Sequence, residues 1–157
     1  MAENDRVEDD EELYRNVRAD WKRYKHYSCK AGIVEIKFNA FRDPDKKPSV
    51  DRAKLLDCDP QRALLNNTNG IVSVQASKVR EIGEVKTKTE KGDVVHTVDI
   101  VFCPTSERPA HSQIIVTPEF FDSAIKQDDP FRFLQKALAR LATDDVAENG
   151  WRFPPKT

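Results

Sequence analysis

The sequence predicts an α+β fold in which a single, mainly antiparallel sheet is covered by N- and C-terminal helices. Most predicted strands follow one another along the chain with short connections, as in β-hairpins, and the predicted helices cluster at the two ends of the chain. The 157 residues suit one domain, and no linker long enough to separate two domains interrupts them. We therefore expect residues 1–12 to form a disordered acidic arm and residues 13–157 to form a single α+β domain.

The first twelve residues carry seven acidic side chains and one arginine. Because the whole chain has a formal net charge of -1, the remaining residues carry a charge of +5. A solvated, disordered terminus is the simplest interpretation of this segment. The alternative is an acidic arm that screens a basic surface or mimics a polyanion.

An amphipathic helix is predicted from about Glu11 to Lys25. Its apolar positions recur at i, i+3, i+7 and i+10, as on one helix face, and are Tyr14, Val17, Trp21 and Tyr24. A basic stripe has the same spacing one position on and comprises Arg15, Arg18, Lys22 and Lys25. Two interpretations stay open. Either the aromatic residues anchor the helix to the core beside a solvated flank, or the two stripes together bind a phosphate backbone and stack bases.

The next segment predicts a strand, a loop and a short helix. Ile33–Phe38 is rich in β-forming residues and alternates apolar with charged side chains from Val34 onward, which predicts a strand with one solvent-facing side. Two prolines hold residues 41–48 in a loop, after which Ser49–Arg52 begins a short strand or turn. Asp59 precedes Pro60, and this cap-proline pair predicts a short helix.

The middle of the chain is dominated by strand patterns. Gly70–Val74 predicts a strand, and Ala76–Ile82 predicts a helical turn closed by a glycine. The alternating runs Glu84–Thr89 and Val94–Cys103 predict a β-hairpin, because a short polar turn joins them. A further strand is predicted at His111–Thr117.

Two helices are predicted near the C terminus, each beginning at a residue before proline. The first runs from Thr117 to about Lys126, and the second from Asp129 to about Thr143. The second helix has a core-facing stripe of Phe131, Leu134, Leu138 and Leu141 and a solvated basic row of Arg132, Lys136 and Arg140. We expect the aromatic tail around Trp151 to pack against the body of the protein.

Common signatures of nucleotide-binding proteins and hydrolases are missing from the sequence. It lacks the glycine-rich phosphate loops, the nucleophile elbow of serine hydrolases and the paired-histidine motif of zinc proteases. Cys29, Cys58 and Cys103 are odd in number and widely spaced, which favours free thiols over a disulfide framework or a zinc site. We expect no metal and no other cofactor.

The sequence predicts a cytoplasmic protein that does not enter a membrane. No stretch approaches the roughly 18 consecutive apolar residues that a membrane helix needs. The first residues, Met1 to Asp5, lack the basic and apolar regions of a secretory signal.

Candidate chemistry is concentrated in a polar cluster after the two proline-bounded loops, which comprises Arg42, Ser49, Asp51, Arg52, His111 and Ser112. If these segments meet, Asp51 and His111 have acid and base chemistry, while Arg42 and Arg52 can hold a phosphoryl or carboxyl group. The structural alternative is that Asp51 and Arg52 tie the loop and His111 only begins a strand. His96 lies on the apolar face of a predicted strand, and we expect it to be a hydrogen-bonded core residue.

Four short motifs follow one another along the chain: Leu13-Tyr14-Arg15, Ala40-Phe41-Arg42, Ser49-Val50-Asp51-Arg52 and Pro109-Ala110-His111. Through them the chain resembles a group of small, uncharacterised bacterial proteins that often lie among mobile or conflict-related genes. The resemblance covers most of the chain and implies no known activity or catalytic residue. This chain differs from that group in its acidic arm and its longer charged hairpin.

The function expected from these features is that of a non-enzymatic binding or accessory protein of a bacterial conflict or defence locus. Its charged surfaces would engage a protein partner, and nucleic acid is a second candidate partner. The residues expected to bind a partner or phosphate are Arg15, Arg18, Lys22, Arg42, Ser49 and Arg52. The alternative is a small enzyme acting on a nucleotide or nucleic acid, with Asp51 and His111 as acid and base and Arg42 and Arg52 holding phosphate.

Overall fold

The computed structural model describes residues 6–20, 24–121 and 129–156. Its strands are β1 (Glu12–Val17), β2 (Tyr27–Lys30), β3 (Ile33–Ile36), β4 (Ser49–Arg52), β5 (Gly70–Gln75), β6 (Glu84–Thr89), β7 (Gly92–Phe102) and β8 (His111–Thr117). The α-helices are α1 (Ala76–Glu81) and α2 (Pro130–Asn149). Short 3-10 helices span Phe38–Phe41, Ala53–Leu56 and Pro60–Ala63.

Six of the strands form one sheet in the order β5-β1-β4-β8-β7-β6, and β2 pairs with β3 in a separate hairpin. The pairs in both sheets are antiparallel. The predicted α+β fold with a mainly antiparallel sheet and a C-terminal helix is therefore confirmed. The predicted strands at β3, β5, β6, β7 and β8 are present, and the segment at 49–52 is a strand.

Two apolar clusters hold the sheet in place. The larger one joins residues such as Leu13 and Val50 in the sheet to Leu134 and Leu138 of α2, all of them fully buried. A smaller cluster around Tyr14 packs the opposite side of β1 against the 3-10 helices at 53–56 and 60–63. Because β1 is covered on both sides and pairs with β4 and β5, it is a central strand of the fold.

The predicted N-terminal helix is wrong, because Glu12–Val17 is a β-strand. Leu13 and Val17 point to one side of this strand and Tyr14 to the other, so successive side chains alternate between two buried surfaces. The polar Arg15 interrupts the apolar residues of this strand, so the strand pattern was hidden in the sequence. Tyr14 and Val17 have the i, i+3 spacing of a helix face, which favoured the helix. Trp21 and Lys22 lie outside the described residues.

The described part of the acidic arm packs against the body of the protein. Val7 is 1% exposed and belongs to the larger apolar cluster. Arg80 donates to the carbonyl of Val7 at 2.6 Å and to the carboxylate of Asp9 at 2.6 Å. Glu11 is buried. The expected disordered segment therefore does not extend from residue 7 to residue 12, and residues 1–5 lie outside the described part.

Helix α2 begins as predicted at the Asp129-Pro130 pair. The Asp129 carboxylate accepts hydrogen bonds from the amides of Phe131 and Arg132, which satisfies two of the free N–H groups of the first turn. The helix extends to Asn149, six residues beyond the predicted end at Thr143.

Among the described residues, no helix is both long enough and apolar enough to cross a membrane.

His96 is a buried core residue, as predicted, and is 0% exposed. Its Nδ1 lies 2.6 Å from the carbonyl of Pro118, and its Nε2 lies 2.7 Å from the hydroxyl of Thr87.

The helix predicted after Thr117 does not begin there, because residues 118–121 have no helical structure. The rest of that prediction, residues 122–128, lies outside the described residues.

The C-terminal tail packs on the body, as its aromatic residues predicted. Trp151 contacts Tyr27 edge-on, with ring centroids 5.3 Å apart. Ile71 of β5 donates its amide to Phe153 and accepts from the amide of Arg152. The tail therefore occupies the outer edge of strand β5.

Candidate functional site

The two proline-bounded loops meet because β4 pairs with β8. Asp51 lies opposite His111 in this pair, and Ser49 lies opposite Gln113. Arg108, in the loop before β8, donates to the carboxylate of Asp51 at 2.7 Å. Ser49, Asp51 and His111 of the predicted polar cluster are therefore neighbours in space, although the partner of Asp51 is Arg108 and not His111.

Ser49 and His111 form a hydrogen-bonded pair. The Ser49 hydroxyl lies 3.0 Å from Nε2 of His111. Nδ1 of the same ring lies 3.1 Å from the carbonyl oxygen of Cys103, which can only accept a hydrogen bond. In the neutral ring Nδ1 therefore carries the proton, and Nε2 accepts the proton of the Ser49 hydroxyl.

Asp51 is engaged by an arginine and not by the histidine. Its side chain is 6% exposed and forms an ion pair with Arg108 at 2.7 Å. A buried carboxylate needs such a partner because an unpaired charge in the interior is costly. The predicted role of Asp51 as an acid or base next to His111 therefore has no support in this geometry.

Arg52 is fully buried, with a side-chain exposure of 0%. It donates to the Glu11 carboxylate at 2.7 and 2.8 Å, and its guanidinium lies over the ring of Phe102. Burial alone would raise the pKa of Glu11, but the hydrogen bonds from Arg52 and from the Glu8 amide hold that pKa below its usual value. Arg52 therefore stabilises the fold and is not placed to meet a phosphate from solution.

Arg15 is saturated by partners within the chain. It donates to the carbonyl oxygens of Ala40 and Ser49 and to both carboxylate oxygens of Asp43. These contacts use all five N–H groups of the guanidinium. Arg15 therefore fixes the loop before β4 and leaves no donor for a partner.

Arg42 and Arg18 are the exposed arginines of the predicted set. The guanidinium of Arg42 lies over the ring of Tyr24, 4.1 Å from its centroid. Arg18 pairs with Asp20 at 3.0 Å, but both side chains are more than half exposed. Lys22 is outside the described residues.

These groups border a polar cleft of about 440 Å³. Its charged side chains are four arginines and two aspartates, namely Arg15, Arg18, Arg42, Arg108, Asp20 and Asp43. Ser49 and His26 also line it. Burial, with the nearby Arg15 and Arg18, lowers the pKa of His26 to about 4, so this ring is neutral near pH 7. The cleft therefore keeps a net positive charge at neutral pH.

A second wall of the cleft is built from asparagines that the sequence did not single out. Asn16 donates to the carbonyl of Ala63 and accepts from the backbone amide of Leu65 and from the side-chain amide of Asn69. Asn69 is 4% exposed, and its Oδ1 has no hydrogen-bond partner among the described residues. The clustering of Asn66, Asn67 and Asn69 before Gly70 is the signal in the sequence that points to this wall.

Within the part of the chain that the structure describes, no group of three or more histidine, cysteine or acidic side chains is arranged to hold a metal ion. Cys29, Cys58 and Cys103 are free thiols, as predicted.

Comparisons with known proteins found no matching family model, no matching curated protein and no matching solved structure.

Proposed function

We propose that the protein is a binding or accessory protein that engages an acidic group of a protein partner at the arginine-lined cleft. The observation that carries this proposal is the state of Arg42. It is exposed, is held over Tyr24, and forms no ion pair with any described residue. Its charge is therefore available to a ligand.

The geometry of Arg42 suits the recognition of a carboxylate. A planar guanidinium donates two parallel hydrogen bonds to a carboxylate, and such charge-assisted bonds are about twice as strong as neutral ones. Stacking on Tyr24 orients the guanidinium before binding, so less conformational entropy is lost when a partner arrives. Arg18 and Arg108 line the same cleft and add to its positive potential.

The resemblance to bacterial proteins of mobile and conflict-related loci favours an accessory role in such a locus, in the cytoplasm. A nucleic-acid partner has less support. The aromatic and basic stripes that suggested it required an N-terminal helix, whereas the chain forms strand β1 there and Arg15 is saturated.

The enzyme alternative is also less well supported. It required Asp51 and His111 as acid and base and Arg42 and Arg52 as phosphate ligands. In the structure, Asp51 forms an ion pair with Arg108, and Arg52 forms a buried ion pair with Glu11.

The test is an affinity purification of the tagged full chain from its native host at low salt, with identification of bound protein and nucleic acid. We expect a stoichiometric protein partner that dissociates as salt rises, because exposed electrostatic contacts are screened. The Arg42→Glu variant should retain at most about a tenth of the partner, a loss that corresponds to about 1.4 kcal/mol.

The matched control is Arg62→Glu, which reverses the charge of an exposed arginine that does not line the cleft. It should retain the partner. Recovery of the chain alone, or equal recovery with Arg42→Glu, would contradict the proposal. Recovery of nucleic acid without protein would replace it with the nucleic-acid hypothesis.

A further inference from the structure

We propose that Ser49 is a nucleophile activated by His111, and that the cleft accepts an activated acyl compound, an ester or thioester, whose acyl group carries an anionic substituent. This inference goes beyond the proposed function, because it adds a covalent step to the cleft. It rests on the hydrogen-bonded pair, on the position of Ser49 in the cleft wall and on the neighbouring arginines.

The directions of the hydrogen bonds identify the basic nitrogen of His111. The carbonyl oxygen of Cys103 lies 3.1 Å from Nδ1 of His111 and can only accept, so Nδ1 carries the proton. Nε2 is then the basic nitrogen, and it lies 3.0 Å from the Ser49 hydroxyl. A nucleophile within hydrogen-bond distance of a base, with that base oriented by a third group, is the arrangement that activates serine for acyl transfer.

Ser49 is held rigidly by its own backbone. Its amide donates to the carboxylate of Asp43 at 2.8 Å, and its carbonyl accepts from Arg15 at 2.8 Å. It is also the first residue of β4, where it lies opposite Gln113 of β8. These contacts fix the Cα position of Ser49, so the hydroxyl has a defined place in the wall of the cleft.

The base is held as firmly as the nucleophile. The amide of His111 donates to the carbonyl of Arg108, and its carbonyl accepts from the amide of Cys103. The Cys103 thiol lies 3.4 Å from Nδ1, and burial raises the pKa of that thiol, which keeps it uncharged beside the ring. His111 is therefore held by hydrogen bonds that preserve one tautomer.

The substrate class follows from the charge of the cleft. Arg18, Arg42 and Arg108 line the same cavity as Ser49. Guanidinium groups bind carboxylates and also stabilise the negative charge that develops on a carbonyl oxygen under attack. An acyl group with a carboxylate of its own therefore fits the cleft better than a neutral acyl group.

The step balances without an oxidant or a metal. The Ser49 oxygen forms a bond to the acyl carbon as its proton passes to Nε2 of His111. The bond from the acyl carbon to the leaving oxygen or sulfur then breaks, and the leaving group takes the proton from His111. The products are an acyl ester on Ser49 and a free alcohol or thiol.

The test uses the full chain and p-nitrophenyl hemisuccinate, an activated ester with an anionic acyl group. We expect release of p-nitrophenol together with a mass increase of one succinyl group, mapped by peptide mass spectrometry to Ser49. The Ser49→Ala variant should not acquire this mass at that peptide. The His111→Gln variant should react about a hundredfold more slowly, because general-base catalysis contributes about 10²–10⁴.

Two further readouts separate catalysis from a structural role. The turnover rate for p-nitrophenol release should fall in His111→Gln, while the KM for the hemisuccinate stays unchanged, because His111 does not line the cleft that binds the acyl group. The neutral ester p-nitrophenyl acetate should react at least tenfold more slowly than the hemisuccinate, and Arg42→Ala should remove this preference. Ser28→Ala, at a serine outside the cleft, is the matched control and should react normally.

Absence of succinyl on Ser49 would overturn the inference, as would labelling that is equal in His111→Gln or spread over surface lysines. Circular dichroism of each variant shows whether it folds. A chain that binds its partner through Arg42 but never labels Ser49 would refute this inference alone. A chain that labels Ser49 but has no partner would refute only the proposed binding function.

Discussion

The carboxylate of Glu11 and the guanidinium of Arg52 form an ion pair at 2.7 Å in which neither side chain is more than 2% exposed. The pair joins the N-terminal segment to strand β4. A buried pair is retained at a high cost in desolvation, and the removal of one partner leaves the other as an unpaired buried charge.

Substitution of Arg52 by Met should lower the free energy of unfolding by about 3 kcal/mol, because the Glu11 carboxylate then remains buried without its main partner. Glu11→Leu should cost a similar amount. The double variant should lose less than the sum of the two, since it buries no unpaired charge. Denaturant unfolding of all four proteins completes the cycle.

The control for this cycle is Arg62→Met, which breaks an exposed ion pair with Asp57 and should change the stability by less than about 1 kcal/mol. Additive effects of Glu11→Leu and Arg52→Met would show that the two side chains are not coupled.

Acidification should destabilise the protein through His26. Burial and nearby arginines lower its pKa from 6.5 to about 4, so between these values the unfolded state binds a proton that the folded state does not. Stability from this group is present above pH 6.5 and is lost as the pH falls toward 4. The full shift corresponds to about 3 kcal/mol, and solvent screening of the partly exposed ring reduces the expected loss to about 2 kcal/mol.

Denaturant unfolding at pH 7, 6, 5 and 4 measures this loss. The difference between the unaltered chain and His26→Gln isolates the contribution of His26 from that of the carboxylates. A constant difference between the two proteins from pH 7 to pH 4 would show that the ring titrates normally.

Substitution of Gly70 by Ala should displace the C-terminal tail. An added Cβ would lie 2.8 Å from Cδ of Pro155 and 2.8 Å from Cζ3 of Trp151. We expect a loss of about 1–3 kcal/mol in stability and a red shift of Trp151 fluorescence, measured in a Trp21→Phe background.

Gly32→Ala is the control for Gly70→Ala, because nothing lies within 4 Å of the added atom. Its positive φ of 78° should cost about 1 kcal/mol, with no change in Trp151 fluorescence. An unchanged spectrum for Gly70→Ala would mean that the tail does not pack on β5 in solution.

The N-cap of α2 should contribute about 1 kcal/mol, so Asp129→Ala is expected to lower the stability by that amount. The carboxylate accepts from two amides of the first turn, which alanine cannot do. Asp144→Ala, at an exposed position within the same helix, should be close to neutral. Thermal unfolding of the two variants side by side gives the comparison, and equal midpoints would contradict the capping role.

The strands from β5 to β8 and the start of α2 could be predicted because their signals are local. Alternation along Glu84–Thr89 matches the buried side chains of Val85 and Thr87, and the Asp129-Pro130 pair is a complete start signal. Strand β1 could not be predicted, since Arg15 interrupts its apolar pattern. The partners that make this arginine acceptable there, the carbonyls of residues 40 and 49 and the carboxylate of Asp43, are distant in sequence.

The candidate site was predicted as a group of residues but not as an arrangement. Ser49 and His111 were both singled out, yet their hydrogen bond depends on strand pairing across 62 residues. Arg52 was predicted either to hold phosphate or to tie the loop. Its buried ion pair with Glu11 was missed because Glu11 lay in a segment expected to be disordered. Local patterns reveal which side chains have chemistry, whereas burial and pairing depend on the whole fold.

The packing of the tail on β5 has a consequence for aggregation. An uncovered edge strand offers unpaired backbone groups to a second molecule, which invites edge-to-edge association. At one edge of the six-stranded sheet, the amide and carbonyl of Ile71 are bonded to the tail. At the other edge, β6 carries Lys86 and Lys88, whose charges oppose strand addition. Removal of residues 151–157 would thus expose the backbone of the β5 edge to strand addition, whereas the β6 edge would keep its lysines.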